Sequence, residues 1–293
     1  MTSTVTTQPP APDPMAGFAT AQRQSRLARD LNAIRLLWQR EMIRLGRNRL
    51  RILMGLVTPL MFLLILGTGL TATDIVSAGF RQYRAFLFPG ILVMAVQAPA
   101  IAVGISIVWD RQAGLIRQML VAPVRRVALV TGICVGGATT GAVYGVLVLA
   151  ISWVADIPFG PRLLLVVLEL LLVGLMFTAM AVLAAVCIRR VDTFQIVVGL
   201  CMMPLLFLSG TMFPANGLPG WLGIAVNVNP LTYVVDAIRR TLLPGTASNL
   251  SGRPTSPVLW GWTPPVGMEI ALIVVLTGVA LMVAARRFAR TES

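Results

Sequence analysis

One carboxylate lies well inside a long apolar run: Glu169, about 10 Å past Arg162 at the 1.5 Å rise of a helix. An ionisable group at such depth is costly in hydrocarbon and is kept for a reason. It either contacts a cationic solute or keeps a proton and bonds to a neighbouring helix. A second charged set, Asp236 with Arg239 and Arg240, has the helical spacing of an ion pair. Other chemistry is poorly provided for. The chain has no histidine, which removes the commonest metal ligand and general base. Cys134, Cys187 and Cys201 sit in or beside apolar runs without metal-ligand spacing and read as buried free thiols. No paired carboxylates and no serine–lysine arrangement suggest hydrolysis. Lysine is absent too, so no standard phosphate-binding loop can form, because that loop needs a lysine at the β- and γ-phosphates.

The elements that must position these groups are membrane helices. Of 293 residues, 57% are hydrophobic and 12% charged, and mean hydropathy is +0.83. Soluble domains carry about 25% charged residues, so much of this surface must face lipid. Charges mark the ends of six apolar runs. Arg51 to Asp74, Arg84 to Asp110, Arg126 to Asp156 and Arg162 to Arg189 enclose the first four. The fifth runs from about Thr193 to Phe213 and the sixth from about Val266 to Ala285, with Glu269 near its entry. Each approaches the roughly 20 residues that a spanning helix needs.

Six spans put both termini on one side of the membrane. Eighteen of the 24 arginines then gather on that side, which the positive-inside rule makes cytoplasmic. Net charge is +13, yet the arginines flank apolar runs and do not interleave with aromatics in a polar domain. That pattern sets topology and argues against nucleic-acid binding. Residues 1–22 are expected to form a disordered tail, neither a signal peptide nor a lipid-anchored start. Residues 23–50 form an amphipathic interfacial helix. Leu27, Leu31, Ile34, Trp38, Met42 and Leu45 share one face at 100° per residue and are expected to meet acyl chains, with arginines opposite. Positive charge beside the first span with incidental periodicity is the plainer alternative. Residues 51–290 make the transmembrane domain. Within it, Gly132 and Gly136, and separately Gly137, Gly141 and Gly145, recur every four residues. This spacing suits helix packing within the chain or a dimer seam.

Two connecting segments carry specific patterns. Between spans two and three, Asp110, Arg111, Gly114, Leu115, Arg117, Leu120 and Pro123 belong to a short helix with an apolar edge, stopped by the proline. Such an edge needs a membrane surface or a partner groove to cover it. After span five, Pro214, Pro219 and Gly220 break the helix, and Asn229-Pro230 is a cap-and-first-turn start for another. Tyr233, Asp236 and Arg239 follow. Short re-entrant or interfacial helices on the outer side are expected there.

Together with the Phe88-Pro89-Gly90 opening of span two, these strings resemble the type-2 ABC transporter permeases, the daunorubicin-resistance and nodulation-export group. The resemblance covers about residues 25 to 290. It implies an all-α, six-helix permease of the bacterial plasma membrane, paired with a second permease copy or paralogue and with a cytosolic ABC ATPase. The 110–123 segment would be the coupling helix seated in that ATPase. Gln112 stands where members often carry glutamate. This chain would hold no cofactor; ATP and Mg would be bound by the partner subunit. The expected activity is ATP-driven export of a small amphipathic drug, antibiotic or lipid-like substrate, with antibiotic resistance as an outcome, from a bundle surrounded by membrane lipids. Glu169 is the candidate for the substrate path. An ion-coupled secondary transporter is the alternative, and an intramembrane enzyme a more distant one.

Overall fold

The computed structural model describes residues 26–69, 80–114, 125–155, 157, 160–212, 219–243, 249–250, 253–254, 256–257 and 262–290. The expected tail, together with Leu115, Arg117, Leu120, Pro123 and Pro214, lies outside them. Helix α1 (Arg26–Arg47) meets α2 (Arg49–Gly69) at 81°. Asn48 makes this corner, its side-chain oxygen accepting from the Arg51 N–H at 3.1 Å as a helix cap does. Then come α3 (Phe80–Gln112), α4 (Arg126–Leu149), a 3₁₀ turn (Ser152–Ala155), α5 (Arg162–Cys187) and α6 (Val191–Phe207). Helices α7 (Gly220–Val228) and α8 (Pro230–Leu242) bend by 77° across Asn229. A two-residue ladder, β1 (Asn249–Leu250) with β2 (Arg253–Pro254), precedes α9 (Val266–Arg290). That ladder is a minor addition to an all-α membrane bundle.

Helices α3, α4, α5 and α9 are each long and apolar enough to cross a membrane, and the number rises to six if each bent pair is one span. The fifth expected span ends earlier than its composition suggests. Helix α6 has 17 residues, about 26 Å at 1.5 Å each, and stops at Phe207, not Phe213. Leu208 to Gly210 turn away, with Gly210 at φ 70°, a conformation that glycine adopts without strain.

Helices α3, α4 and α5 touch one another at the centre, and α9 lies along α5. Small residues permit this approach. A β-carbon on Gly174 would stand 2.8 Å from the Ala138 carbonyl oxygen, so α5 and α4 meet backbone to backbone. Gly137 faces Thr178 and Val103, Gly141 faces Val96, and Gly145 faces Leu170 and Val96. Gly132 and Gly136 receive Ile34, Leu37 and Glu41 of α1. Every glycine in the α4 series therefore packs within the chain.

That groove also corrects the expected orientation of α1. Its inward line is Asp30, Ile34, Leu37 and Glu41, set against α4. Leu31 is 64% exposed, and the Leu27 side chain lies outside the described set. The helix is rotated because α4 offers both a glycine groove and polar partners. Asp30 pairs with Arg125 at 3.7 Å, and the Trp38 indole donates to Thr139 Oγ1 at 3.2 Å. The apolar residues left outside, Leu31, Leu36 and Ile43, lie among arginines. The thiols are corrected as well: Cys134 is buried, but Cys187 and Cys201 are exposed.

The α4–α5 approach sets a test. Gly174→Ala is expected to destabilise the bundle by about 1–3 kcal/mol through overpacking, read as a lowered thermal midpoint in detergent. Gly278→Ala, with nothing within 4 Å of the added carbon, should leave the midpoint unchanged.

Candidate functional site

Helix α8 begins as its sequence predicts. Asn229 Oδ1 accepts from the Leu231 N–H at 3.0 Å, with Pro230 at the first helical position. The Asn229 amide also donates to Leu205 O at 2.6 Å, tying the α7–α8 corner to α6. Thr232 and Tyr233 hydroxyls donate back to Val226 O and Asn227 O, both at 2.7 Å. These bonds satisfy carbonyls left without helical partners by the 77° break.

The charged residues of α8 are buried with it. Arg239 is 2% exposed. Its Nη2 donates to Gly210 O at 2.8 Å and Phe86 O at 3.4 Å, and the guanidinium lies 4.0 Å from the Phe86 ring centroid. The arginine thus binds the α6 turn to α3. Of the two partners expected for Asp236, the structure chooses Arg240, at 2.8 Å and i,i+4 spacing. Arg240 Nη2 also lies 3.8 Å from Glu269 of α9. Its remaining donors reach Ser256 Oγ at 3.2 Å and Pro264 O at 2.7 Å. One residue further, Thr241 Oγ1 donates to Glu169 Oε1 of α5 at 2.6 Å. Helix α8 therefore holds Asp236 and Glu269 at Arg240 and, one residue on, Glu169 at Thr241.

Pro219 stands at the α7 N-cap position without a side-chain cap bond and plays no part in this cluster. Sequence reasoning missed Glu269 as a member; its place in the first turn of an apolar run was the available signal. Thr241 and Phe86 carried none. Two cavities flank the cluster. One, of about 390 Å³, has Glu169 in a wall otherwise dominated by Val135, Ala138, Leu168, Leu172 and Ile270. The other, of about 400 Å³, is lined by Glu269, Tyr233, Asn227, Pro264 and Met268. Glu169 is 91% buried by its 9% exposure, and its Oε2 has no hydrogen-bond partner among the described residues.

At the opposite end, the α3 terminus is fastened to α5. Arg111 Nη1 donates to Ala185 O at 3.1 Å and Val186 O at 3.4 Å, carbonyls at the α5 C-terminus, where a cation is favoured. The Gln112 amide donates to Arg189 O at 3.2 Å, a bond that a glutamate carboxylate could not make. Asp110 pairs with Arg40 of α1 at 3.7 Å. Gly114, at φ 73°, follows the last helical turn in the left-handed conformation common at helix C-termini. Among the described residues no cluster of His, Cys, Asp or Glu could hold a metal.

The fold is an apolar helical bundle with a sharply bent helix pair and carboxyl groups bordering two open cavities, as a membrane protein that handles solutes requires. The chain belongs to the ABC-2 type transporter family, whose profile matches residues 32–243. It is 28% identical to the inner membrane transport permease YadH of Escherichia coli K12 over 210 residues, 71% of this chain and 81% of that one. Nodulation protein J of Rhizobium leguminosarum bv. trifolii is also 28% identical over 210 residues, covering 71% and 80%. The "Probable multidrug ABC transporter permease YbhR" of E. coli K12 is 26% identical over 181 residues, 61% of this chain and about half (49%) of that one. The chain is thus the permease of an ABC transporter, a multi-pass inner-membrane protein that works with a cytosolic ATPase subunit.

Removing the central cation tests the cluster. Arg240→Met should cost about 3–5 kcal/mol, because it leaves Asp236 and Glu269 buried without their counter-ion. Adding Asp236→Asn and Glu269→Gln should restore much of the lost thermal midpoint. No rescue would mean that packing, not charge, makes Arg240 important.

Proposed function

We propose that this permease exports a small amphipathic drug, antibiotic or lipid-like compound, and that Glu169 contacts its polar or cationic part. The observation that supports this is Glu169 itself. It is a buried carboxyl on the wall of an apolar cavity, with one oxygen bonded to Thr241 and the other without a hydrogen-bond partner. An apolar cavity with a few placed polar groups is how small-molecule sites are usually built. Nearby, Asp236 and Glu269 flank Arg240, so the surroundings of Glu169 hold further polar groups able to orient a ligand. The name of YbhR as a multidrug permease agrees with such a substrate.

Both termini are cytoplasmic in this reading, and two permease copies, identical or paralogous, bind two ATPase subunits. ATP and Mg, held by those subunits, supply the energy. The segment 110–123 is the coupling helix. Asp110, Arg111 and Gly114 fix its start against α1 and α5, while Leu115, Arg117, Leu120 and Pro123 provide the docking edge and its stop. ATP-driven closure of the partner dimer would move that edge, and Arg111 would pass the movement to α5. Asn229, Pro230, Tyr233, Asp236 and Arg239 hold the outer re-entrant pair, entered through Pro214 and Pro219, as a gate above the cavity.

Two measurements test the reading. Glu169→Gln should lower transport of cationic amphiphiles at least tenfold while sparing neutral ones; an unchanged substrate profile removes Glu169 from the path. Leu120→Asp should abolish substrate-stimulated ATP hydrolysis by the purified complex, with the chain still inserted. Normal export by that variant would overturn the coupling assignment.

A further inference from the structure

At the arginine-rich end of the bundle, a cavity of about 400 Å³ opens between α1, the start of α2 and the last turns of α3. Its wall holds Arg44, Arg51, Ile105, Ser106, Trp109 and Asp110. We propose that it binds the phosphodiester of a membrane phospholipid. The charges suit a single anion. Arg40, Arg44 and Arg51 are set against Glu41 and Asp110, and both carboxylates are already engaged, Glu41 by Arg44 at 4.0 Å and Asp110 by Arg40 at 3.7 Å. No carboxylate lies within ion-pair distance of Arg51 among the described residues. Ser106 donates its own proton to Val103 O at 2.8 Å, so the guanidinium groups are the donors left for a phosphate. Paired guanidiniums recognise phosphate oxygens well.

Depth and neighbours make the source a lipid. Helix α3 has 33 residues, about 50 Å of helix against roughly 30 Å of hydrocarbon. Its last turns therefore stand at or beyond headgroup level. Trp109 is 60% exposed there, where interfacial tryptophans are enriched. From Arg51 an outward apolar ridge continues along α2 through Met54, Val57 and Met61, a track for acyl chains that a free phosphate would not need. A lipid seated here would bridge α1 to the α3 terminus. Its effect on coupling rests on the role proposed for Asp110; its binding does not.

The experiment uses the full chain purified from membranes into mild detergent. Native mass spectrometry should show one phospholipid retained per chain. Arg44→Gln with Arg51→Gln should weaken retention at least tenfold, whereas Arg29→Gln with Arg35→Gln, an equal loss of charge elsewhere on α1, should not. In nanodiscs, the Trp109 emission, taken as wild type minus Trp109→Phe, should be quenched more by a nitroxide on the lipid headgroup than by one at the acyl end. This second readout keeps the arginines intact. Equal loss of lipid in both double variants, or displacement of the lipid by soluble glycerophosphate at matching concentration, would overturn the proposal. So would deeper quenching from the acyl end.

Discussion

Hydrocarbon offers no water to a charged side chain or to an unpaired backbone group. This protein nevertheless buries Arg239 and Asp236 on the short helix α8. Each must be satisfied by the chain itself: Asp236 by Arg240 one turn along the same helix, and Arg239 and Arg240 by groups from four different elements. Phe86 belongs to α3, Gly210 to the α6 turn, Glu269 to α9 and Pro264 to the segment before it. The position of this helix is therefore fixed by polar contacts as well as by the burial of Leu231, Val234, Val235 and Ile238 in the core. Leaving any of these charges unpaired would be more costly than the packing around it can offset.

The bundle beneath is held by a different principle. Lipid tails are as apolar as leucine, so helices associate through close contact. The glycines of α4, together with Gly174 and Gly104, let α3, α4 and α5 approach until backbone meets side chain or backbone. Helices α2 and α6, outside this trio, are far less enclosed. On α6, Ile196, Leu200 and Met203 are exposed, as are Leu53, Met54 and Val57 on α2. Such surfaces are stable only against a non-aqueous neighbour.

Between these regions run direct mechanical links. Arg111 caps the α5 C-terminus from the end of α3, and Asp110 holds α1 through Arg40. Thr241 joins the same α5, at Glu169, to α8. Helix α5 thus carries a polar contact near each end, one to the α3 terminus and one to the re-entrant pair.

Much of this was legible beforehand, for physical reasons. Apolar runs bounded by arginine fix where helices start, because charge is excluded from hydrocarbon whatever the tertiary arrangement. Asn229-Pro230 forecast the α8 start since capping is local. The four-residue glycine spacing forecast close packing, but its partners could not be read, because a helix face does not say what lies opposite. The rotation of α1 was hidden for the same reason: its polar partners Arg125 and Thr139 come from α4. The α6 end at Phe207 was set by a turn whose carbonyl is taken by Arg239, 29 residues away. Composition and local spacing determined where the apolar helices lie, most of their starts and the absence of a lysine-based nucleotide loop. Only the folded chain decided that Glu169 and Glu269 converge on α8, because contacts over such separations depend on how helices stack, which no local pattern encodes.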